Sequence, residues 1–158
     1  MSGLVYSAGL DFILSGIKNN SVVHELNLGD NQLTDEDLTK ICQRLRQQPQ
    51  ENFSIRRLKL QANDFKEPWP FLDLLNECGR HFTHLDFSKM SFAAPQAIQM
   101  LSTSASYLTN IQELAMCNLE MFSFQADQAA GKAMLLLGAL SNLKTLRCLD
   151  LSKNKMPI

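Results

Sequence analysis

The chain of 158 residues lacks an excess of charge of either sign: 15 basic and 16 acidic side chains leave a formal net charge of -1. A protein built to grip nucleic-acid backbone normally shows a strong basic excess, so that class is set aside. No apolar run approaches the roughly 18 residues needed to cross a bilayer. The stretch from Met1 to Ser15 has no basic opening and carries Asp11 inside its apolar part, so it reads poorly as a secretory leader. Cys42, Cys78, Cys117 and Cys148 stand far apart and come without such a leader, which favours free thiols in a reducing compartment over two bridges. What remains is a hydrophobic content of 45%, ordinary for a globular protein. The length suffices for one domain or one stack of small repeats. The expectation is a cytoplasmic chain with no membrane role.

Self-similarity is the strongest positive signal. A template with apolar residues at positions 1, 4, 6 and 11 and Asn at position 9 fits Val23, Leu26, Leu28, Asn31 and Leu33. It fits again at Ile55, Leu58, Leu60, Asn63 and Phe65, and at Leu146, Leu149, Leu151, Asn154 and Met156. Two further copies keep the apolar positions and lose the Asn: Phe82, Leu85, Phe87, Met90 and Phe92, then Ile111, Leu114, Met116, Leu119 and Met121. Copies recur at roughly 30 residues, within the range of solenoid repeats.

This pattern resembles the leucine-rich repeat family. The long helical segments between copies, and the junction from Gly16 to Leu28, are similar to the ribonuclease-inhibitor type of cytosolic proteins. The likeness runs from about Leu10 to Met156. It implies an α/β solenoid of about five repeats, with a parallel β-sheet on the concave side and α-helices on the convex side. It is almost silent about activity.

Elementary physics points the same way. Positions 4 and 6 alternate with polar neighbours, as in a strand buried on one face. Thr34 can cap a helix and Asp37 completes a capping box, after which Leu38, Ile41, Cys42 and Leu45 recur at helical spacing. A second helix opens around Pro68 or Pro70, turns Phe71, Leu72, Leu74, Leu75 and Cys78 inward, and ends at Gly79. A third runs from about Ala94, anchored by Ile98 and Leu101, and a fourth from about Ala126 to Leu140. The position-9 Asn is expected to bond loop backbone; where Met90 and Leu119 replace it, the polar ladder should break and the loops should be irregular.

Residues 1–20 are read as an N-terminal capping helix with Leu10, Ile13, Leu14 and Ile17 on one face, and residues 21–158 as the repeats. After the last strand only Ser152 to Ile158 follow, without room for another helix. A solenoid end normally needs a polar cap. The readings are a fragment of a longer array, an end-to-end dimer, or a cap formed by an earlier segment, with the first two favoured.

The residues between the apolar ones should line the concave wall in lateral rows about 4.8 Å apart. One row reads Glu25, Arg57, His84, Glu113, Cys148; the next reads Asn27, Lys59, Asp86, Ala115, Asp150. This places Arg57 beside Glu25 and Lys59 beside Asp86. The candidate protein-binding residues are Glu25, Asn27, Arg56, Arg57, Lys59, His84, Asp86, Glu113, Arg147 and Asp150. The bland alternative is that these charges pair with one another and solvate the surface. In the functional reading Arg56, Arg57 and Lys59 receive an acidic element of a partner. Trp69, between two prolines at a helix start, is read as loop packing, or as an anchor if exposed.

Other constellations lead nowhere. Cys78, His81 and His84 form a C-x-x-H-x-x-H string, yet the repeat register sends the three apart, so no metal is expected. Gly131-Lys132 has Ala126 and Ala133 where a phosphate loop needs Gly and Ser or Thr. Cys148 and His84 lie two strands apart, so no catalytic set and no cofactor is expected. The leading function is therefore a non-enzymatic protein-protein interaction module presenting its concave face. The alternatives are a bacterial effector acting on a host protein in the host cytosol, or a GTPase-regulating scaffold, as some relatives of this type are.

Overall fold

Each of the first four copies of the template folds as one short strand followed by a turn and a helix, and the fifth as a strand and a turn. The computed structural model describes residues 3–49, 53–91, 94–121 and 126–155. Helix α1 (Gly3–Ile17) leads into β1 (Glu25–Asn27), α2 (Asp35–Arg46), β2 (Arg57–Lys59), α3 (Trp69–Cys78), β3 (His84–Asp86), α4 (Ala94–Ser104), β4 (Glu113–Ala115), α5 (Ala126–Asn142) and β5 (Cys148–Asp150). The five strands make one parallel sheet in chain order. Helices and sheet enclose a single apolar core, in which Leu58, Leu60, Phe65, Phe71, Leu74, Phe82 and Ile111 are wholly buried. No described helix is long and apolar enough to cross a membrane. Phe92 and Met156, the last apolar positions of their repeats, lie outside the described residues.

A backbone ladder runs well past the strands. The amides of Leu28, Leu60, Phe87 and Met116 donate to the next repeat at Lys59, Asp86, Ala115 and Asp150, over 2.9–3.0 Å. Two residues on, Asp30, Ala62, Lys89 and Asn118 donate to Gln61, Ser88, Cys117 and Ser152. These same residues, with Lys153, have left-handed backbone, φ 54–59°. The turn is thus common to all five repeats, and the expected irregularity at Met90 and Leu119 is absent at this position. The backbone bonds shape the turn whether or not Asn follows it.

The Asn side chains do a different job. Asn63 is buried; its Oδ1 accepts the amides of Asn31 and Leu33, both at 3.0 Å, and its Nδ2 donates to the carbonyls of Leu28 and Leu60, both at 2.9 Å. Asn154 repeats this with the amides of Leu119 and Met121 and the carbonyls of Met116 and Leu151. Each is a clamp onto the preceding repeat. Met90 and Leu119 remove it from the two middle junctions, as the sequence implied. Across the junction of repeats 2 and 3, Phe65, Phe71 and Phe87 stack edge-to-face instead, with centroids 5.2 and 5.1 Å apart.

The helices follow their sequence signals with one correction. Asp37 accepts the Thr34 amide at 2.9 Å and its hydroxyl at 3.0 Å, and Leu38, Ile41, Cys42 and Leu45 are buried. Pro68 and Pro70 flank the start of α3, whose Phe71, Leu74, Leu75 and Cys78 are buried, with Leu72 at the margin. Ile98 and Leu101 anchor α4. Gly79 ends α3 as expected, standing as its C-cap in right-handed geometry and opening a 3-10 turn (Gly79–His81). Space there is tight: a Cβ would sit 3.2 Å from the Tyr107 carbonyl oxygen. The correction is Ile13, which is 43% exposed while Leu10, Leu14 and Ile17 of α1 are buried, so the inward stripe is narrower than expected.

The clamp makes a prediction. Asn63→Leu should destabilise the protein by roughly 2–4 kcal/mol, because four buried backbone partners lose their bonds at once. Asn31→Leu, at an exposed site with one local bond to the Gly29 carbonyl, should change stability by no more than about 0.5 kcal/mol. Urea unfolding of both variants measures the difference.

Candidate protein-binding face

The alternation of inward and outward residues brings the candidate rows together in the register expected. Glu25 is opposite Arg57, Arg57 opposite His84, His84 opposite Glu113, and Glu113 opposite Cys148. Asn27, Lys59, Asp86, Ala115 and Asp150 form the second row. A third row, at position 7, holds Gly29, Gln61, Ser88, Cys117 and Ser152. Gln61 lies across Gly29, where a Cβ would collide with its amide.

The ion pairs differ from the expected ones in one respect. Glu25 accepts Lys59 Nζ at 2.7 Å and stands 3.8 Å from the Arg57 guanidinium, so both cations converge on one carboxylate. Lys59 is opposite Asp86 in register but reaches diagonally to Glu25; a long flexible side chain is not bound to its lateral neighbour. The Lys59 ammonium, with Arg57 beside it, holds the Glu25 carboxyl below the usual carboxylate range.

The second row is tied down by short local bonds. Asn27, Asp86 and Asp150 each accept, through Oδ1, the amide two residues on, at 3.1, 3.0 and 2.9 Å. The Ser152 amide, with help from Cys117, keeps the Asp150 carboxyl below its ordinary range. Between Asp86 and Asp150 the row drops to Ala115, which opens a shallow depression of 260 Å³. Of the ten candidate residues, Arg57, Lys59, His84, Asp86, Glu113 and Asp150 line it. Glu25 borders it through its ion pairs, while Asn27, Arg56 and Arg147 are not part of its wall. Arg56 precedes β2 and donates to the His81 carbonyl at 3.3 Å.

One arrangement was not foreseen. His84 Nδ1 is 2.8 Å from the Thr83 hydroxyl and its Nε2 is 3.3 Å from Glu113. The order of hydroxyl, imidazole and carboxylate is that of a hydrolytic relay, and the Thr83 hydroxyl also lies 3.2 Å from the Arg56 carbonyl, a second acceptor for its proton. The group fixes the imidazole across β3 and β4. Adjacent Thr and His at positions 2 and 3, with Glu one repeat later, were the signal available in the sequence.

The Cys-His-His string separates as its register implied. Cys78 is in the core, His81 stacks on Phe53 with centroids 4.3 Å apart, and His84 is on the sheet. Burial, then Arg80 and Arg56, lowers the His81 pKa. The helix side carries its own exposed apolar groups: Trp69, 50% exposed at the start of α3, and Met134, Leu135 and Leu137 of α5.

With fold and face described, the comparisons fall into place. A Leucine Rich repeat family model matches residues 19–42. No curated protein matches the chain significantly. Among solved structures it is similar to the tropomodulin C-terminal domain of Caenorhabditis elegans, at 10% identity over 87% of this chain and 79% of that one, TM-score 0.54. It is also similar to leiomodin-1 actin-binding site 2, at 15% identity over 85% and 74%, TM-score 0.55. The chain has the leucine-rich-repeat fold.

The four thiols differ sharply in setting. Burial pushes Cys42 up to about 11 and Cys78 up to about 12, whereas Cys148 is exposed at the wall of the depression. Iodoacetamide at mildly alkaline pH should therefore alkylate Cys148 first and leave Cys42 and Cys78 intact until the chain unfolds, as read by peptide mass spectrometry. Because the folded values are raised, the neutral thiols stabilise the fold fully below the unfolded thiol pKa. That contribution is lost as pH rises through the folded values.

Proposed function

We propose that the protein is a non-enzymatic interaction module of the ribonuclease-inhibitor-like kind, which binds a protein partner on its concave sheet. The observation that carries this reading is the 260 Å³ depression on the sheet face, walled by seven charged or ionisable side chains from β2, β3, β4 and β5. Solenoids present such curved walls as extended binding surfaces, and Arg at the centre of an interface is a common energetic anchor. The name of the leiomodin structure records an actin-binding site, which makes actin a reasonable first partner to assay.

Affinity capture with mass spectrometry tests the reading. Arg57→Glu combined with Lys59→Glu should release the captured partner while circular dichroism stays unchanged; undiminished capture would remove the concave face from consideration.

A second contact is supported at the far end of the sheet. Leu146, Leu149 and Leu151 of the last repeat are only partly buried, unlike their equivalents Ile111, Leu114 and Met116. We infer that a second copy packs end to end against β5. Light scattering after size exclusion should report a dimer of the 158-residue chain that dissociates on Leu149→Asp. A monomer at all concentrations would exclude the second copy.

A further inference from the structure

The concave sheet face is electrically two-sided along the axis of the solenoid. On the β2 side Arg57 and Lys59 share a single carboxylate, Glu25, so cationic charge is in excess there. On the β3–β5 side the outward positions hold Asp86, Glu113 and Asp150, and the basic group within reach on those rows is His84, at 3.3 Å from Glu113. Lys89 and Lys153 stand beyond the strands in the left-handed turns, and Arg147 precedes β5. The depression over Ala115 lies within the acidic side, with Lys59 and Arg57 at its opposite wall.

We propose that this face docks a protein segment carrying an acidic and a basic side chain about 10 Å apart, the distance from β2 to β4. The acidic group sits on Arg57 and Lys59, competing with Glu25. The basic group, arginine or lysine, enters the depression with its alkyl stem over Ala115 and its charge between Asp86 and Asp150. Shape and charge agree on this polarity: the small Ala115 leaves room for a long side chain, and a carboxylate stands on either side of it. Complementary charge of this kind gives orientation and speed of docking more than raw affinity. A planar guanidinium matches a carboxylate through two parallel bonds, which favours arginine over lysine. This inference rests on the concave reading above and adds the chemistry of the partner to it.

Asparagine provides a clean test. Asn27 occupies the same repeat position as Asp86 and Asp150 and makes the same bond to the amide two residues on. Asp86→Asn and Asp150→Asn should therefore keep the fold and remove only the charge. The probes are N-acetyl-arginine amide and its neutral isostere N-acetyl-citrulline amide, titrated into the full chain and followed by amide NMR shifts. Saturable shifts at Asp86, Ala115 and Asp150 are expected with the arginine probe alone. The double Asn variant should weaken them by about tenfold. N-acetyl-glutamate amide should instead shift Arg57 and Lys59. Equal shifts from the citrulline probe, shifts outside these strands, or none at all would overturn the proposal. Should charge reversal still abolish partner capture while the arginine probe has no effect, the concave face stands and the partner chemistry assigned here is wrong.

Discussion

At Asp30, Ala62, Lys89, Asn118 and Lys153 the backbone enters the left-handed region, φ 54–59°, three residues beyond each strand. None of the five is glycine, and Ala62, Lys89 and Lys153, without the short polar side chain that eases Asp30 and Asn118, each carry a conformational cost of about 1 kcal/mol. The compensation is collective: at the first four, the amide donates to the following repeat. A turn held by its neighbour must be the same turn in every repeat. That constraint sets the strand register, and the register sets which side chains share the concave wall.

The lateral rows of that wall could be read from the sequence because alternation leaves each outward residue a single place. Arg57, His84 and Glu113 fell into line for no other reason. The diagonal step of Lys59 to Glu25 was hidden, since it depends on the reach of a side chain and not on the order of strands. So was the regularity of the turns at Met90 and Leu119, where the pattern shows a missing side chain but not the backbone bonds that suffice without it. Gly79 illustrates a related gap. Its position beside Tyr107 belongs to another repeat, and the residues around it suggest only a helix end. Ile13 was misplaced because four apolar residues fit the helical stripe while the surface beneath admits three.

The same separation governs function. Packing demands only the inward positions, so charges on the outward rows are free to vary without disturbing the fold. Two of the cations are held by Glu25, and three carboxylates gather around Ala115. Such an arrangement discriminates between partners by sign as much as by shape, and a partner must displace an existing ion pair on one side to use it.

The Asn clamps join repeats 1 to 2 and 4 to 5, while the junctions between them rest on the backbone ladder and on aromatic and aliphatic packing. These two kinds of joint respond differently to cold. Apolar association weakens on cooling, whereas buried amide bonds do not share that loss. Chilling would therefore loosen the molecule first at its waist, where Asp86, Glu113 and Ala115 line the binding wall.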